Sequence, residues 1–330
     1  MPGRLLLGCL LLGCLLPGHL ALRPRAGGHT PPVMEEDLRR AAFGDSPGLD
    51  VWRALGAPSS RVRWLAAVVL GGQGHYAAAA TALDALRHDP DPVIASLAFS
   101  TRASHLRQVG AHRLARPLDG AALAKAPRTG PPDEDGIDAE GARTDALLGL
   151  AADSLGAQRL GEARRLLARV ETRSWRGEVR QGWVTAEIEL ASGRAEHAVA
   201  PAERAHATST GRKALRHELK SALVLGTSLV VWGTPDGLNR GLELVECELN
   251  HSASERLKPL IWPSALVLAG HAPTVGAVAI DRATEALSCV LRRADAVSRQ
   301  VALDSPWVPS GLLRSGEPPN ADPQTNFLTD

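Results

Sequence analysis

From Arg61 to about Leu303, apolar residues recur at helical spacing in segments of ten to twenty residues, separated by short turns that contain Gly or Pro. No alternating stretch of strand length interrupts them, so the pattern predicts successive helices. The segments come in pairs, which raises the question of an internal repeat. Aligning Trp64 with Trp183 superposes Ala67 on Ala186, Gly74 on Gly193 and Ala79 on Ala198, all at one offset of 119 residues. Three units of about 40 residues fit that interval. Gly110 with Ala115, and Gly156 with Ala163, fall between these anchors, and the turns at Gly233 and Gly270 continue the series.

A corner between antiparallel helices needs a residue that tolerates the left-handed region, and glycine does so without steric cost. Gly74, Gly110 and Gly193 hold that position. A small residue must then stand where the second helix crosses the first, as Ala79, Ala115 and Ala198 do, followed by an apolar residue such as Leu83. This succession resembles the second half of a tetratricopeptide repeat, above all in Ala191–Val199 and in Gly74–Ala79, where Tyr76 holds the aromatic position. The resemblance spans about residues 61–300, with units longer than the family's usual 34 residues or so. It implies an all-α, right-handed α-solenoid of about six TPR-like antiparallel helix pairs; another α-solenoid or an irregular helical bundle is the alternative. It also implies a non-catalytic protein-protein interaction scaffold, whose first helices line a concave groove for a partner peptide or helix. By position in the motif, Trp64, Val68, Trp183 and Glu187 are the groove candidates, with a packing role as the competing reading for the two tryptophans. The family's clamp for a peptide carboxyl terminus needs an Asn that these helices lack, so that specificity is not carried over.

Boundaries follow from composition. Residues 1–33 are an apolar amino-terminal segment, residues 34–60 a helix and linker, residues 61–303 the repeat domain, and residues 304–330 a Pro-rich tail expected to be disordered. Residues 127–138, rich in Pro, Gly and acid, read as an exposed loop. Pro117 and Pro201 fall inside second helices and predict kinks there. Leu5–Leu16 has the length of an export signal and is too short to span a bilayer. Cys9 and Cys14 each end a lipobox-like run, but Arg23 and Arg25 follow the apolar stretch, reversing the charge order of an exported leader. The competing reading starts the protein at Met34, where Glu35, Glu36 and Asp37 place negative charge at the front of a helix through Leu38–Phe43. A cytoplasmic protein is expected, with contact to a membrane only if Cys14 is lipidated.

Composition narrows the chemistry. The 330 residues carry a formal net charge of +1, with 44% hydrophobic and 3% aromatic residues, and Ala and Leu make up about a third of the chain. That bias favours helix over sheet, and the balanced charge gives no electrostatic reason to expect nucleic acid as partner. Basic charge carried mostly by Arg, with abundant Ala, resembles proteins of GC-rich actinobacterial genomes. Beyond the amino-terminal segment only Cys247 and Cys289 remain, which make neither a disulfide framework nor a zinc site.

The strongest enzyme-like signal is Gly72-Gln73-Gly74-His75-Tyr76-Ala77, which fits Gly-x-Gly-x-x-Ala and supports the alternative of a nucleotide-dependent enzyme. No acidic residue ends a second strand downstream, since Asp89 and Asp91 sit in a Pro-containing turn, so an inter-helix turn is the preferred reading. His217-Glu218 lacks the second histidine of a zincin helix and reads as a solvated face; His75, His105, His112 and His197 read as partly exposed. No cofactor is expected. Arg173, Arg176 and Arg180 form a basic stripe, either solvated or able to receive an acidic partner segment.

Overall fold

A computed structural model describes residues 34–271, 276–309 and 311–314. Among these every regular element is helical. The helices are α1 (Glu35–Phe43), α2 (Ser60–Gly72), α3 (Tyr76–Leu86), α4 (Pro92–Arg107), α5 (His112–Lys125), α6 (Ala139–Gly156), α7 (Leu160–Leu167), α8 (Trp175–Ala191), α9 (Ala195–Gly211), α10 (Leu215–Trp232), α11 (Pro235–Ser254), α12 (Ile261–His271), α13 (Gly276–Arg293) and α14 (Ala296–Asp304), before a last turn at Gly311–Arg314. None is long and apolar enough to cross a membrane. The expectations for residues 1–33, and for the tail beyond residue 314, lie outside the described residues.

Two kinds of corner alternate along the first half. Within a pair, the chain turns through a left-handed residue, at Gly74 (φ 84°), Gly110 (φ 73°) and Gly193 (φ 70°). Each such corner returns an amide three or four residues past the helix end to a carbonyl of its last turn, as in His75 N–H to Leu70 O (2.8 Å) and Ala111 N–H to Leu106 O (2.9 Å). Between pairs, a side chain caps the incoming helix: Ser59 for α2, Asp91 for α4, Asp138 for α6 and Ser174 for α8. The α6–α7 corner departs from expectation. Gln158, not Gly156, takes the left-handed position (φ 60°), while Gly156 ends α6 with its Cα against the His112 ring, where a β-carbon would stand 2.3 Å from Cγ. Gly270 lies inside α12 and makes no corner.

Each helix packs on the next, and the first members of successive pairs also touch one another: α2 on α4, α4 on α6, α6 on α8, and α8 on α10. Ala79, Ala115, Ala163 and Ala198 are fully buried in the second helices, and glycines allow other close crossings, as at Gly226 of α10 against Gly241 of α11. The two aligned tryptophans make parallel bonds. Trp64 Nε1 on α2 donates to Thr101 Oγ1 on α4 (3.0 Å), and Trp183 Nε1 on α8 donates to Ser221 Oγ on α10 (2.8 Å).

The inner row does not stay open. Helix α1 lies against both α2 and α10, Leu215 N–H reaches Gly44 O (3.0 Å), and the Arg216 side chain of α10 lies across Gly72 of α2. On the outside, α13 meets α3 and Arg102 pairs with Asp295 (3.1 Å). Residues 305–309, within the tail expected to be disordered, are seated on the α4–α5 corner. Ser305 Oγ donates to Gly110 O (3.2 Å), Val308 is buried, and Trp307 meets the His112 ring edge-on. The loop expected to be exposed at 127–138 is exposed only in its first half. Arg39 binds Asp133 and Asp135 (both 2.7 Å), Trp175 Nε1 donates to Asp135 (3.2 Å), and residues 136–138 are buried.

Candidate functional site

Closure of the inner row leaves one cleft of about 170 Å³ between α2, α4, α6, α8 and α10, capped by Phe43 of α1 and by Pro259-Leu260. Two of its lining side chains are seated on glycines. Gly71 and Gly72 lie at the end of α2 with no side chain, so that His105 and Arg216 rest on the helix backbone itself; a β-carbon on Gly71 would stand 2.0 Å from His105 Nε2, and one on Gly72 2.8 Å from Arg216 Nε. In the Gly72–Ala77 run read as a possible phosphate loop, Gly72 is therefore a seat for Arg216, and the run follows a helix, not the strand a dinucleotide site requires. Gly71→Ala is expected to destabilise the protein by about 1–3 kcal/mol through overpacking, measured as a lowered urea midpoint with unchanged slope.

Charge in the walls is arranged in layers. Arg107, buried in the cleft wall, is paired with Asp119 and Asp153; its burial is outweighed by these two partners, which hold its pKa above the ordinary value. Burial pushes the Asp119 carboxyl above its usual range, against the pull of Arg107. Nearer the space, Asp145 accepts from Arg176 (2.8 Å) and from Arg180. Arg176 also donates to the carbonyls of Asp135 (2.7 Å) and Gly136 (3.0 Å), tying the inner wall to the acidic loop. Glu187 pairs with Lys220 (3.4 Å), whose ammonium lies 5.9 Å from the Trp183 ring centre. Arg216 is different. Its charged and titratable neighbours include Tyr76, Arg180, His105 and His217, it makes no ion pair with a carboxylate among the described residues, and burial lowers its pKa.

Two histidines complete the walls. His105 stacks on Tyr76 (5.1 Å) and is lowered to about 3, chiefly by burial and then by Arg102, Arg216 and Arg107. His217 is enclosed by Trp175, Trp183 and Phe43 and held neutral, first by burial and then by Arg216, Arg176 and Arg180. Neither these two nor His112, which faces Asp153, is exposed, contrary to expectation: the cross-chain contacts that bury them come from helices far away in sequence. His197 stays exposed.

Linkage gives opposite pH trends in two places. The folded-state pKa of His105 lies below its unfolded value, so its contribution is present above about pH 6.5 and lost as the pH falls toward 3. Glu248 is buried on α11 and raised to about 8 by burial. Ser264 Oγ serves Leu260 O (2.8 Å) and also touches one Glu248 oxygen; a single hydroxyl hydrogen closes both contacts only if the carboxyl carries a proton. Its stabilising contribution is full below the unfolded value of 4.5 and lost as the pH rises toward 8. Glu248→Gln, which mimics the protonated form, is expected to match the native protein near pH 4.5 and to exceed its stability increasingly up to pH 8, as read from denaturation midpoints along a pH series.

Of the seven groove candidates, Trp64, Val68, Arg176, Arg180, Trp183 and Glu187 line this cleft. Arg173 does not: its side chain is 83% exposed, beside Glu140. Trp64 is 1% exposed and belongs mainly to the core, and Arg176 and Glu187 are buried in ion pairs rather than presented to solvent. The sequence reading missed Asp145, Arg107, Arg216 and Lys220. A signal for two of them exists: Arg176 and Arg180, four apart on α8, recur as Arg216 and Lys220 on α10 at the 40-residue interval of the units. Comparison with family models, with curated proteins and with solved structures finds no match.

Proposed function

We propose that this chain is a non-catalytic protein-interaction scaffold, a right-handed array of about six TPR-like helix pairs that works in the cytoplasm and receives a segment of a partner protein on its inner face. The observation that carries the reading is convergence: candidates from α2 and α8, picked by their place in the repeat pattern, stand on the walls of one cleft with an aromatic face at Trp183 and fixed charges around it. Aromatic and Arg anchors in a desolvated recess are the composition of a binding hot spot. Because the inner row closes, the recess suits a protruding side chain or a short turn of the partner better than a long extended peptide. The alternative of a nucleotide-dependent enzyme finds no strand before Gly72 and no uncovered glycine backbone at Gly71-Gly72.

The test is site-specific photo-crosslinking from Val68, which is half-buried on the cleft wall, against the same probe at the outlying Arg173. A partner protein crosslinked from Val68 and not from Arg173 is the expected result. Crosslinks from both positions alike, or a melting temperature raised by NAD or ATP, would count against the scaffold.

A further inference from the structure

We infer that the cleft reads a carboxylate: the side chain of an aspartate or glutamate in an acidic segment of the partner protein, received between Arg216 and Arg180. The inference rests on the scaffold reading and names the chemistry of what that scaffold takes.

Charge complementarity carries it. Around the space stand Arg107, Arg176, Arg180, Arg216 and Lys220 against Asp145 and Glu187, with Asp119 and Asp153 paired to Arg107 from outside the lining. Asp145 is shared by two guanidiniums, and Arg216 has no carboxylate at ion-pair distance among the described residues. The two histidines add no positive charge, since both are held neutral. Arg216 is nonetheless fixed in place: it comes from an inner helix and lies flat over Gly72, so its direction toward the space does not depend on a counter-ion. Arg216 is only half-buried, and a carboxylate is the group whose planar shape matches its fork.

Apolar content in the wall favours a side chain over an inorganic ion. Trp183, Val184, Leu148 and Leu260 form an apolar part of the wall that would pack against the methylenes of Glu or Asp, and a bare phosphate would leave it wet.

The experiment is selection of random twelve-residue peptides displayed on phage against the full chain, followed by fluorescence anisotropy of the recovered peptides. Acid-rich peptides are expected. For the tightest of them, changing one Glu or Asp to Gln or Asn weakens binding tenfold or more, Arg216→Gln weakens it equally, and the two changes together cost no more than either alone. Arg173→Gln leaves binding unchanged, Arg216→Lys keeps part of it, and circular dichroism melting shows that the Arg216 variants are folded. Peptides that lose binding with Trp183→Ala, carry no excess of acid and ignore Arg216→Gln would overturn the carboxylate while leaving the scaffold reading intact. If selection recovers nothing, or only peptides indifferent to Trp183→Ala, the scaffold reading falls and takes this inference with it. Succinate or inorganic phosphate binding in an Arg216-dependent way as tightly as the peptides would make the cleft a small-anion site and overturn the proposal.

Discussion

Asp145→Ala is expected to destabilise the protein by about 3–5 kcal/mol, the usual cost of leaving buried charge uncompensated. Two guanidiniums depend on this one carboxylate: Arg176, 4% exposed, and Arg180. With Asp145 gone, Arg176 keeps the Asp135 and Gly136 carbonyls, which satisfy its hydrogens without neutralising it. For a chain of this size the loss corresponds to a fall in melting temperature of roughly 10 °C. Adding Arg176→Met and Arg180→Met to the same chain should return most of it, because the cost lies in the orphaned charges and not in the missing carboxylate. A melting temperature within about 2 °C of the native protein for Asp145→Ala alone would show that water reaches both arginines.

Trp64→Ala is expected to cost a similar amount, about 3–5 kcal/mol, by a different route: loss of a large buried side chain and the void it leaves. Trp64 packs against Phe43 across the α1–α2 contact, at 6.1 Å between ring centres, and bonds Thr101 on α4, so three helices meet on it. Trp183→Ala should cost less, since that ring is only partly buried and borders the open space of the cleft, between His217 and Lys220. Urea denaturation of the two variants side by side checks the order. Equal losses would put Trp183 in the core as well, and would remove the aromatic wall from the binding surface.

How much of this was legible in advance depended on whether the cause was local. Helix after helix could be read from apolar spacing, because the residues that bury a helix face lie within that helix. The fate of His217 could not. Its neighbours Phe43, Trp175 and Trp183 come from α1 and α8, and one polar residue in an amphipathic segment looks the same whether it faces water or three rings. The basic run at 173–180 shows the same limit: helical spacing put three arginines on one stretch, yet only the partner Asp145, on α6, decides that two of them turn inward. Gly71-Gly72 carried a real signal of close approach, and the approaching groups turned out to be His105 and Arg216 in place of a pyrophosphate. The seating of Ser305–Val308 was hidden for a simpler reason, since a Pro-rich segment without helical pattern gives no hint that a distant corner will bind it.

The seam between the two ends of the helical domain has a kinetic consequence. Ser305 meets Gly110, Arg102 meets Asp295, and Arg293 reaches His75 at 3.5 Å, contacts that link parts of the chain about 200 positions apart. A linear stack can ripen one unit at a time as it leaves the ribosome; here the early hairpins must wait for nearly the whole polypeptide before their outer edges are covered. Duplication or deletion of a single unit, the ordinary route by which tandem proteins change length, would hold the seam open and leave those edges bare.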